Sequence, residues 1–246
     1  MVSPAPPRIW TAALIVIGDE ILSGRTHDKN IAQVASWLQV QGIRLAEVRV
    51  VADVAARIIA ALDALRAEND YVFTTGGIGP THDDITADAV AAAHGTSVAV
   101  DPEARALLQA RCDRMGVDLT PNRLRMARIP EGATLIDNAV SAAPGFSIGH
   151  THVMAGVPEV FRAMVDWLIP RLAGGRPVQS LSVEVRRGES DVAEGLTEVA
   201  AAFPDLSLGS YPFRDKDVWG TNLVVRGLDG PRVAEAMAAL KRRLSL

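Results

Sequence analysis

The chain has 246 residues, of which 48% are hydrophobic, and a formal net charge of −4 at pH 7. A chain of this length and composition can bury a full core, and its scattered Lys and Arg residues predict neither a nucleic-acid-binding face nor a patch for anionic membranes. Cys112 is the single cysteine, which rules out a disulfide within the chain and is typical of a reducing, cytoplasmic compartment.

The first predicted element is a buried strand from Ala12 to Ile17. The apolar run is too short to span a membrane, only Arg8 precedes it, and no small-residue cleavage site follows, so we expect neither a membrane anchor nor a signal peptide. A loop from Gly18 to Gly24 comes next, and apolar residues at helical spacing predict a helix from about Asp28 to Gln41. Together these segments form a β–α unit.

Two more strands are predicted before residue 75. One runs from Ile43 to Val51 and the other from Tyr71 to Thr74, with a helix between them. Alternating strands and helices predict an α/β fold, in which a mostly parallel sheet has helices on both faces and forms a three-layer αβα domain. In such sheets ligands bind beyond the carboxyl ends of the strands.

The remainder of this domain is predicted from shorter signals. The expected elements are a helix to about residue 94, a strand at 98–100, a helix at 102–115, a strand at 152–155 and a helix at 158–172. Residues 138–146 are rich in turn-forming residues and are predicted to be irregular. Glycines and a proline at 174–177 indicate a boundary between a first domain, 1–174, and a second, 175–246.

A small α+β domain is predicted for residues 175–246. Its elements are a strand (179–186), a helix (190–203), two strands (206–212 and 219–226) and a helix (231–244). This order resembles RNA-binding KH domains, but Arg186-Arg187 is too small a basic cluster to follow a nucleic-acid backbone. We therefore expect no nucleic-acid partner.

The most informative stretch is residues 74–86, TTGGIGPTHDDIT, which we call the glycine loop. It lies between a strand and a helix, where Gly76, Gly77 and Gly79 allow a tight turn that brings backbone N–H groups close to phosphate oxygens. The loop has no lysine, so it is not a P-loop, and it lacks the spacing of a dinucleotide fingerprint.

Acidic residues follow these glycines: Asp83, Asp84 and, one helical turn later, Asp88. Carboxylates repel a phosphate unless a divalent cation lies between them, so this combination predicts a metal-bridged phosphate. The alternative is structural, because acids stabilise the first turn of a helix and Thr81 or Asp83 would serve as its N-cap.

Four motifs occur in order across residues 11–173. They are IGDEILSG at 17–24, GGIGPTHDDIT at 76–86, APGF at 143–146 and GVPEVFRAM at 156–164. Together they resemble the molybdopterin-binding fold of the MoaB/Mog type, most closely the N-terminal domain of the competence/damage-inducible protein A family. GES at 188–190 and GSYP at 209–212 are similar to that family's small middle domain. We expect no counterpart in these residues of the amidase domain that full-length relatives carry.

The resemblance implies a choice between two functions. MoaB/Mog members bind pterin phosphates or help to adenylylate molybdopterin, whereas the competence/damage-inducible type resembles a metal-dependent pyrophosphatase that acts on ADP-ribose-like dinucleotides. Acids beside a lysine-free glycine loop favour the pyrophosphatase, with a phosphate-containing small molecule as partner and Mg²⁺, Mn²⁺ or Co²⁺ as cofactor. The alternative is a non-catalytic binder of molybdopterin, another pterin phosphate or a nucleotide.

Each candidate site residue then has an expected role. Asp84 would hold the metal, together with acids of the same or the neighbouring loop: Asp83, Asp19 and Glu20. The resemblance places Asp53 near Asp84 as a second catalytic acid, with capping of the next helix as the alternative. The N–H groups of Gly76, Gly77 and Gly79 would stabilise charge on phosphorus. Further ligand contacts are expected from Ser23, Thr81, Ser141 and Gly156.

His150 and His152 lie two residues apart in a predicted strand. Without acids or cysteines at metal-ligand spacing beside them, they are expected in the core or on the surface rather than at a metal.

Tyr211, Phe213 and Trp219 lie in the small domain. They would either fill its core or form an apolar surface for a second copy of the chain. Because MoaB/Mog-like proteins are generally oligomeric, the resemblance implies a homo-oligomer.

Overall fold

The computed structural model describes residues 8–215 and 218–246. The chain forms two compact units, the first ending at Gly175 and the second running from Arg176 to Leu246. This boundary lies one residue beyond the position that the glycines and proline indicate.

The strands of the first unit alternate with helices along most of its length. They are β1, Trp10–Ile17; β2, Ile43–Val51; β3, Tyr71–Thr75; β4, Val98–Val100; β5, Arg128–Pro130; β6, Thr134–Ile136; β7, Gly145–Ile148; and β8, Thr151–Met154. Six of them form one sheet in the order β2-β1-β3-β8-β7-β6, while β4 and β5 pair separately. Neighbours from β2 to β8 are parallel, and β7 and β6 add an antiparallel edge.

Helices cover both faces of this sheet. They are α1, Asp19–Leu22; α2, Asn30–Val40; α3, Ala55–Glu68; α4, Thr86–Ala93; α5, Pro102–Met115; α6, Pro121–Leu124; and α7, Pro158–Leu168. Residues of α2 and α7 pack in the core on one face, and residues of α3, α4 and α5 pack in the core on the other. Cys112 of α5 is buried, with its thiol free. The predicted α/β fold with a mostly parallel sheet is confirmed.

Strand β1 is buried on both faces because helices cover both faces of the sheet, and its two edges pair with β2 and β3. Ala12, Leu14 and Val16 point into one core, and the residues between them, Ala13, Ile15 and Ile17, point into the other. Alternation of this kind explains why the strand reads as a continuous apolar run rather than as a polar-apolar pattern.

Strand β7 was not expected, because the sequence predicts an irregular segment that includes Gly145 and Phe146. The strand pairs with both β6 and β8. A Cβ atom at Gly145 would lie 2.4 Å from the carbonyl oxygen of Val153, so the glycine is required by the close approach of β8. A residue that usually indicates a turn therefore serves here inside a sheet.

The second unit is an antiparallel sheet with two helices. Its elements are β9, Gln179–Val185; α8, Glu189–Ala202; β10, Ser207–Asp215; β11, Val218–Gly227; and α9, Gly230–Leu244. The strand order is β10-β11-β9. Val185, Leu223 and Val225 of the sheet pack with Val192 of α8 and Leu240 of α9, which confirms the predicted small α+β domain.

Tyr211, Phe213 and Trp219 lie outside the core of the second unit, whereas Phe203 is part of it. Tyr211 and Trp219 are 49% and 65% exposed, so the interpretation that they fill the small domain's core is wrong. The ring of Phe213 lies on the backbone of Gly220, where a Cβ atom would approach it to 2.6 Å. The oligomer surface stays a prediction. Across the described ranges, no helix combines the length and apolar character needed to cross a bilayer.

Candidate functional site

The loops that follow β1, β3 and β8 meet at Gly76. A Cβ atom at Gly76 would lie 2.1 Å from the carbonyl oxygen of Ile17 at the end of β1, and one at Gly156, after β8, would lie 3.2 Å from the Cα atom of Gly76. The N–H of Gly76 donates to the carbonyl oxygen of Met154 at 3.1 Å. The carboxyl ends of three parallel strands are thus held together by backbone contacts that leave no room for side chains.

The first two loop glycines have structural reasons to be glycine. Gly76 and Gly77 have φ angles of +105° and +68°, a region that side chains other than glycine rarely adopt. A Cβ atom at Gly77 would also lie 2.2 Å from the Thr86 hydroxyl oxygen, which donates to the Gly76 carbonyl at 3.0 Å. Because the N–H of Gly76 is bonded to Met154, the prediction that it contacts phosphate is wrong. Contacts from Gly77 and Gly79 stay predictions.

The side chain of Asp84 closes a turn within the glycine loop. Its Oδ2 atom accepts hydrogen bonds from the N–H of Thr81 at 2.7 Å and from the Thr81 hydroxyl at 2.5 Å. Gly79 lies beside the same carboxylate, since a Cβ atom there would be 2.7 Å from Oδ2. Asp84 is therefore held in one orientation by its own loop.

Helix α4 begins without a side-chain cap. Its N-cap is Ile85, so the capping alternative for Thr81 and Asp83 is wrong. Asp88 instead forms a two-pronged ion pair with Arg128, with distances of 3.0 and 2.6 Å. None of these acids is explained by N-capping.

Four carboxylates form an acidic cluster that we define as Asp19, Glu20, Asp53 and Asp83. Asp53 accepts a hydrogen bond from the N–H of Asp19 at 2.9 Å. Helix α3 begins at Ala55 without a side-chain cap, so the capping alternative for Asp53 is wrong. Burial raises the pKa of Asp53, and the negative charges of the other three acids raise it further, against the lowering effect of the Asp19 hydrogen bond. Asp83 acts on Asp53 through its charge, and it also interacts with Thr81, the residue that contacts Asp84.

The predicted metal ligands do not form a ready-made site. Among residues 8–215 and 218–246, no three His, Cys, Asp or Glu side chains are arranged to hold a metal ion. In this structure no three of Asp84, Asp83, Asp19 and Glu20 converge, and Thr81 and Gly79 contact the Asp84 carboxylate, so a metal held by this set stays a prediction. The donor chemistry still fits Mg²⁺, which is often bound by one or two carboxylates and completed by phosphate oxygens.

The glycine loop also forms one wall of a pocket, which we call the glycine-loop pocket. Its polar lining consists of Gly77, Gly79, Asp84, Arg125 and Arg128, and its apolar lining consists of Ile78, Ala87, Met126, Ile129, Pro144 and Phe146. Arg125 and Arg128 were missed in the sequence. Their only signal is that three arginines, at 123, 125 and 128, occur within six residues.

Arg125 binds the back of the glycine loop. Its Nε atom donates to the carbonyl oxygen of Thr81 at 3.1 Å, and its Nη2 atom donates to that of Asp84 at 3.4 Å. These bonds join a segment 41 residues further along the chain to the turn that orients Asp84.

Asn30, the first residue of α2, was also missed. Its Nδ2 atom donates to the Thr75 hydroxyl at 2.8 Å and to the Gly156 carbonyl at 2.9 Å, while the Thr75 hydroxyl donates to the Ala155 carbonyl at 2.9 Å. Asn30 is 3% exposed, and its Oδ1 atom has no hydrogen-bond partner among the described residues. The side chain fastens the loops after β3 and β8 to α2.

The three predicted hydroxyl donors already have acceptors within the chain. Thr81 donates to Asp84 at 2.5 Å, Ser23 to the Glu20 carbonyl at 3.3 Å, and Ser141 to Asn138 at 3.2 Å. Ligand contacts from these three hydroxyls stay predictions. Gly156 lies against Gly76, and a ligand contact from it stays a prediction.

The histidines do not contribute to the site. His152 is 4% exposed, with its Nδ1 atom 2.8 Å from the Ser147 hydroxyl. Burial and, to a smaller extent, the nearby His150 lower its pKa to about 4. His152 thus lies in the core, which is one of the two positions expected for it.

The fold and this site define a protein of the molybdopterin-binding-fold class. Residues 13–174 match the family described as "Probable molybdopterin binding domain", and residues 177–246 match the family described as "FAD synthase, middle domain". The first match covers more than half of the chain, which therefore belongs to the molybdopterin-binding domain family. Its curated relatives include CinA-like proteins, in agreement with the sequence motifs.

Two of these relatives come from Desulfosudis oleivorans and Citrifermentans bemidjiense. The first is 34% identical over 209 residues, which cover 80% of this chain and 51% of the relative. The second is 33% identical over 243 residues, which cover 95% of this chain and 58% of the relative. The chain thus spans a little over half the length of these proteins.

One solved structure gives the same relationship. A CinA protein of unknown function from Thermoplasma acidophilum is 34% identical, with a TM-score of 0.58, over 63% of this chain and 94% of that one. The molybdopterin biosynthesis enzyme MoaB from Thermus thermophilus is 20% identical, with a TM-score of 0.44, over 66% of this chain and 91% of that one.

Proposed function

We propose that this CinA-like protein is a metal-dependent hydrolase that cleaves the diphosphate bond of ADP-ribose-like dinucleotides. The observation that carries the proposal is the position of two consecutive acids: Asp83 belongs to the acidic cluster, and Asp84 lines the glycine-loop pocket. The same loop therefore places one carboxylate, Asp83, in the acidic cluster and the next, Asp84, in the lining of the cavity that would take the ligand. The similarity of residues 177–246 to a domain of FAD synthase supports a nucleotide as the ligand.

The residues that would hold the cation are Asp84 with one of the acids of the cluster. A divalent metal bound there would neutralise phosphate charge and lower the pKa of a coordinated water molecule. Because the carboxylates do not converge without a ligand, we expect the diphosphate itself to complete the binding site. Mg²⁺, Mn²⁺ and Co²⁺ are the candidates.

Asp53 is the proposed general base. Its pKa is raised by burial and by the neighbouring acids, so it accepts a proton more readily than an ordinary aspartate. Its Oδ2 atom is oriented by the N–H of Asp19, and the Oδ1 atom would take the proton from the attacking water. The N–H groups of Gly77 and Gly79 would stabilise the charge that develops on phosphorus.

A second candidate is a non-catalytic binder of molybdopterin or another pterin phosphate. The apolar lining of the glycine-loop pocket favours it, because the partly exposed Ile78 and Met126 offer apolar surface next to polar groups. Under either function we expect a cytoplasmic homo-oligomer.

The test is incubation of the purified protein with ADP-ribose, with and without Mg²⁺, Mn²⁺ or Co²⁺, and detection of AMP by chromatography. We expect metal-dependent release of AMP, a loss of at least about 100-fold in Asp84→Asn, and full activity in the control Asp166→Asn, whose side chain is exposed on α7. Tight molybdopterin binding without AMP release would instead select the binding function.

A further inference from the structure

The second unit contains an edge strand whose outer side is unprotected. Strand β9 lies at one end of the order β10-β11-β9 and pairs with β11 alone. It has seven residues, of which Glu184 is the single charged one, and it contains neither a proline nor a register irregularity. An exposed strand of this kind offers a row of backbone N–H and C=O groups to another strand.

The other long edge strands carry features that oppose such pairing. β2, at the edge of the six-stranded sheet, has a bulge at Ala46 and the charged side chains of Arg44, Glu47 and Arg49. β10 contains Pro212, which has no N–H to donate. Among the described strands, β9 is thus the long edge best suited to take a further strand.

We propose that β9 pairs with β9 of a second copy of this chain, about a two-fold axis at Ser182. A strand that pairs with itself across a two-fold axis is antiparallel. This register keeps all seven residues of each strand paired, and it places Leu181 opposite Val183 and Ser180 opposite Glu184 of the second copy. The sheets of the two copies then form one continuous sheet.

The face of the sheet that carries α8 and α9 is apolar across this contact. Leu181 and Val183 lie on it because they pair with Val225 and Leu223, which are both in the core. Leu181 is nevertheless 42% exposed. In the proposed register Val183 of the second copy lies directly opposite Leu181 and covers it.

The other face supplies charge complementarity. Ser180 pairs with Arg226 of β11, so it would lie between Arg226 and Glu184 of the second copy. Strands are about 4.8 Å apart, so the two Cα atoms would be about 10 Å apart, and the two long side chains can meet across the small serine. Neither charge forms an ion pair within the described ranges. Arg226 has only a weak contact, with its guanidinium carbon 5.8 Å from the Tyr211 ring.

Helix α9 leaves room for the second copy. It packs on β9 and β11, and its Arg243 pairs with Glu198 of α8. Helical periodicity places Ala234 and Ala238 on the flank away from α8, and both are exposed. Small side chains on this flank let the α9 helices of the two copies approach each other when their β9 strands pair.

The first test is disulfide cross-linking of the full chain carrying Ser182→Cys. The two introduced thiols would face each other at the axis, where opposite Cα atoms are about 4.5 to 5.5 Å apart, within the range of a disulfide. The matched control is Ser180→Cys, which is exposed on the same face of the same strand. Its two copies would be about 14 Å apart.

Under mild oxidation we expect Ser182→Cys to give a covalent dimer on a non-reducing gel and Ser180→Cys to give at least about 10-fold less. Cys112 is 5% exposed and does not compete.

A charge exchange tests the ion pairs, with sedimentation as the measurement. Glu184→Arg should weaken association about 10-fold, because it turns two attractions into repulsions. Glu184→Arg combined with Arg226→Glu should restore it. Within one chain Glu184 pairs with Asn222, four residues from Arg226, so the two charges lie about 14 Å apart. Only a contact between copies therefore explains a rescue.

Three results would overturn the inference: a wild-type mass of one chain, equal cross-linking of Ser182→Cys and Ser180→Cys, or a charge-exchanged variant that associates no better than Glu184→Arg. The inference requires neither a ligand nor catalysis. AMP release by a monomeric chain would sink only this inference, and a cross-linked dimer without AMP release would sink only the proposed hydrolase. Tyr211 and Trp219 lie on β10 and β11, away from this edge, so association through them would be a second contact.

Discussion

Asn30 shows how one polar side chain can hold a site together from outside it. It supplies hydrogen bonds to two acceptors, the Thr75 hydroxyl and the Gly156 carbonyl, in a place where water does not replace them. In Asn30→Ala both acceptors lose their donor, and we expect the free energy of unfolding to fall by about 2 kcal/mol. Urea denaturation measures the change.

The control for Asn30 is Asn122→Ala. Asn122 is exposed on α6, so its removal should change stability by less than about 0.5 kcal/mol. Equal losses in the two variants would mean that the buried hydrogen bonds of Asn30 contribute nothing.

His152 makes stability depend on pH in a known direction. Its pKa is about 4 in the folded protein and 6.5 in the unfolded chain, so the neutral form is favoured on folding. This contribution is complete above pH 6.5 and is lost as the pH falls through about 4. Between these limits we expect the wild type to lose up to about 3 kcal/mol relative to His152→Gln.

Denaturant unfolding at several pH values tests this expectation. His82→Gln is the control, because the His82 side chain is 99% exposed. If the difference in the free energy of unfolding between wild type and His152→Gln is the same at all pH values, the buried histidine is not the source of the pH dependence.

At this scale the sequence predicted some site residues and missed others for one physical reason. Asp83 and Asp84 are neighbours of glycines in a recognisable loop, so their chemistry can be read locally. Arg125 contacts the loop across 41 residues and Asn30 contacts Gly156 across 126. Contacts that only the folded chain creates leave no local pattern to read.

The elements depend on close backbone approaches at glycines. Gly76 is the clearest case, because Ile17 and Gly156 both contact its backbone and its φ angle is +105°. In Gly76→Ala the new methyl group would overlap the Ile17 carbonyl at 2.1 Å, and the loops after β1 and β3 would have to separate. We expect a loss of about 3 kcal/mol in thermal or urea unfolding.

Gly95→Ala is the matched control for backbone conformation alone. Gly95 also has a positive φ angle, +67°, but a Cβ atom there would have nothing within 4 Å. Its substitution should cost about 1 kcal/mol. A similar cost at Gly76 would argue against the crowded junction.

Elements were predictable where one physical signal dominated. Strands β1 and β3 lie in the interior of the parallel part of the sheet, so hydrophobic runs identify them, whereas β2 is an edge strand with partly exposed residues. β7 has four residues and begins with Gly145, whose role is set by β8 rather than by its own neighbours. Short strands of this kind depend on tertiary pairing, which local propensity does not encode.

At the scale of the whole molecule, exposed aromatic residues bear on assembly. Tyr211 and Trp219 together leave large apolar surfaces in the second unit. We expect light scattering to give a mass above the 26.1 kDa of one chain, and Tyr211→Ser with Trp219→Ser to shift the protein towards the monomer.

Val40→Ser provides the control for this experiment, since Val40 is 71% exposed on α2 of the first unit. It should leave the mass unchanged. A wild-type mass of one chain, or an effect of Val40→Ser as large as that of the double variant, would contradict the proposed surface.

Cys112 is the only thiol in the chain and is 5% exposed. Reagents that modify thiols should therefore leave the native protein almost untouched and report, by their rate of reaction, how often α5 opens from the core. A cysteine introduced at an exposed position would in turn be the single site for a fluorophore or spin label under native conditions. Motion around the glycine loop can therefore be measured with one introduced cysteine, without first removing Cys112.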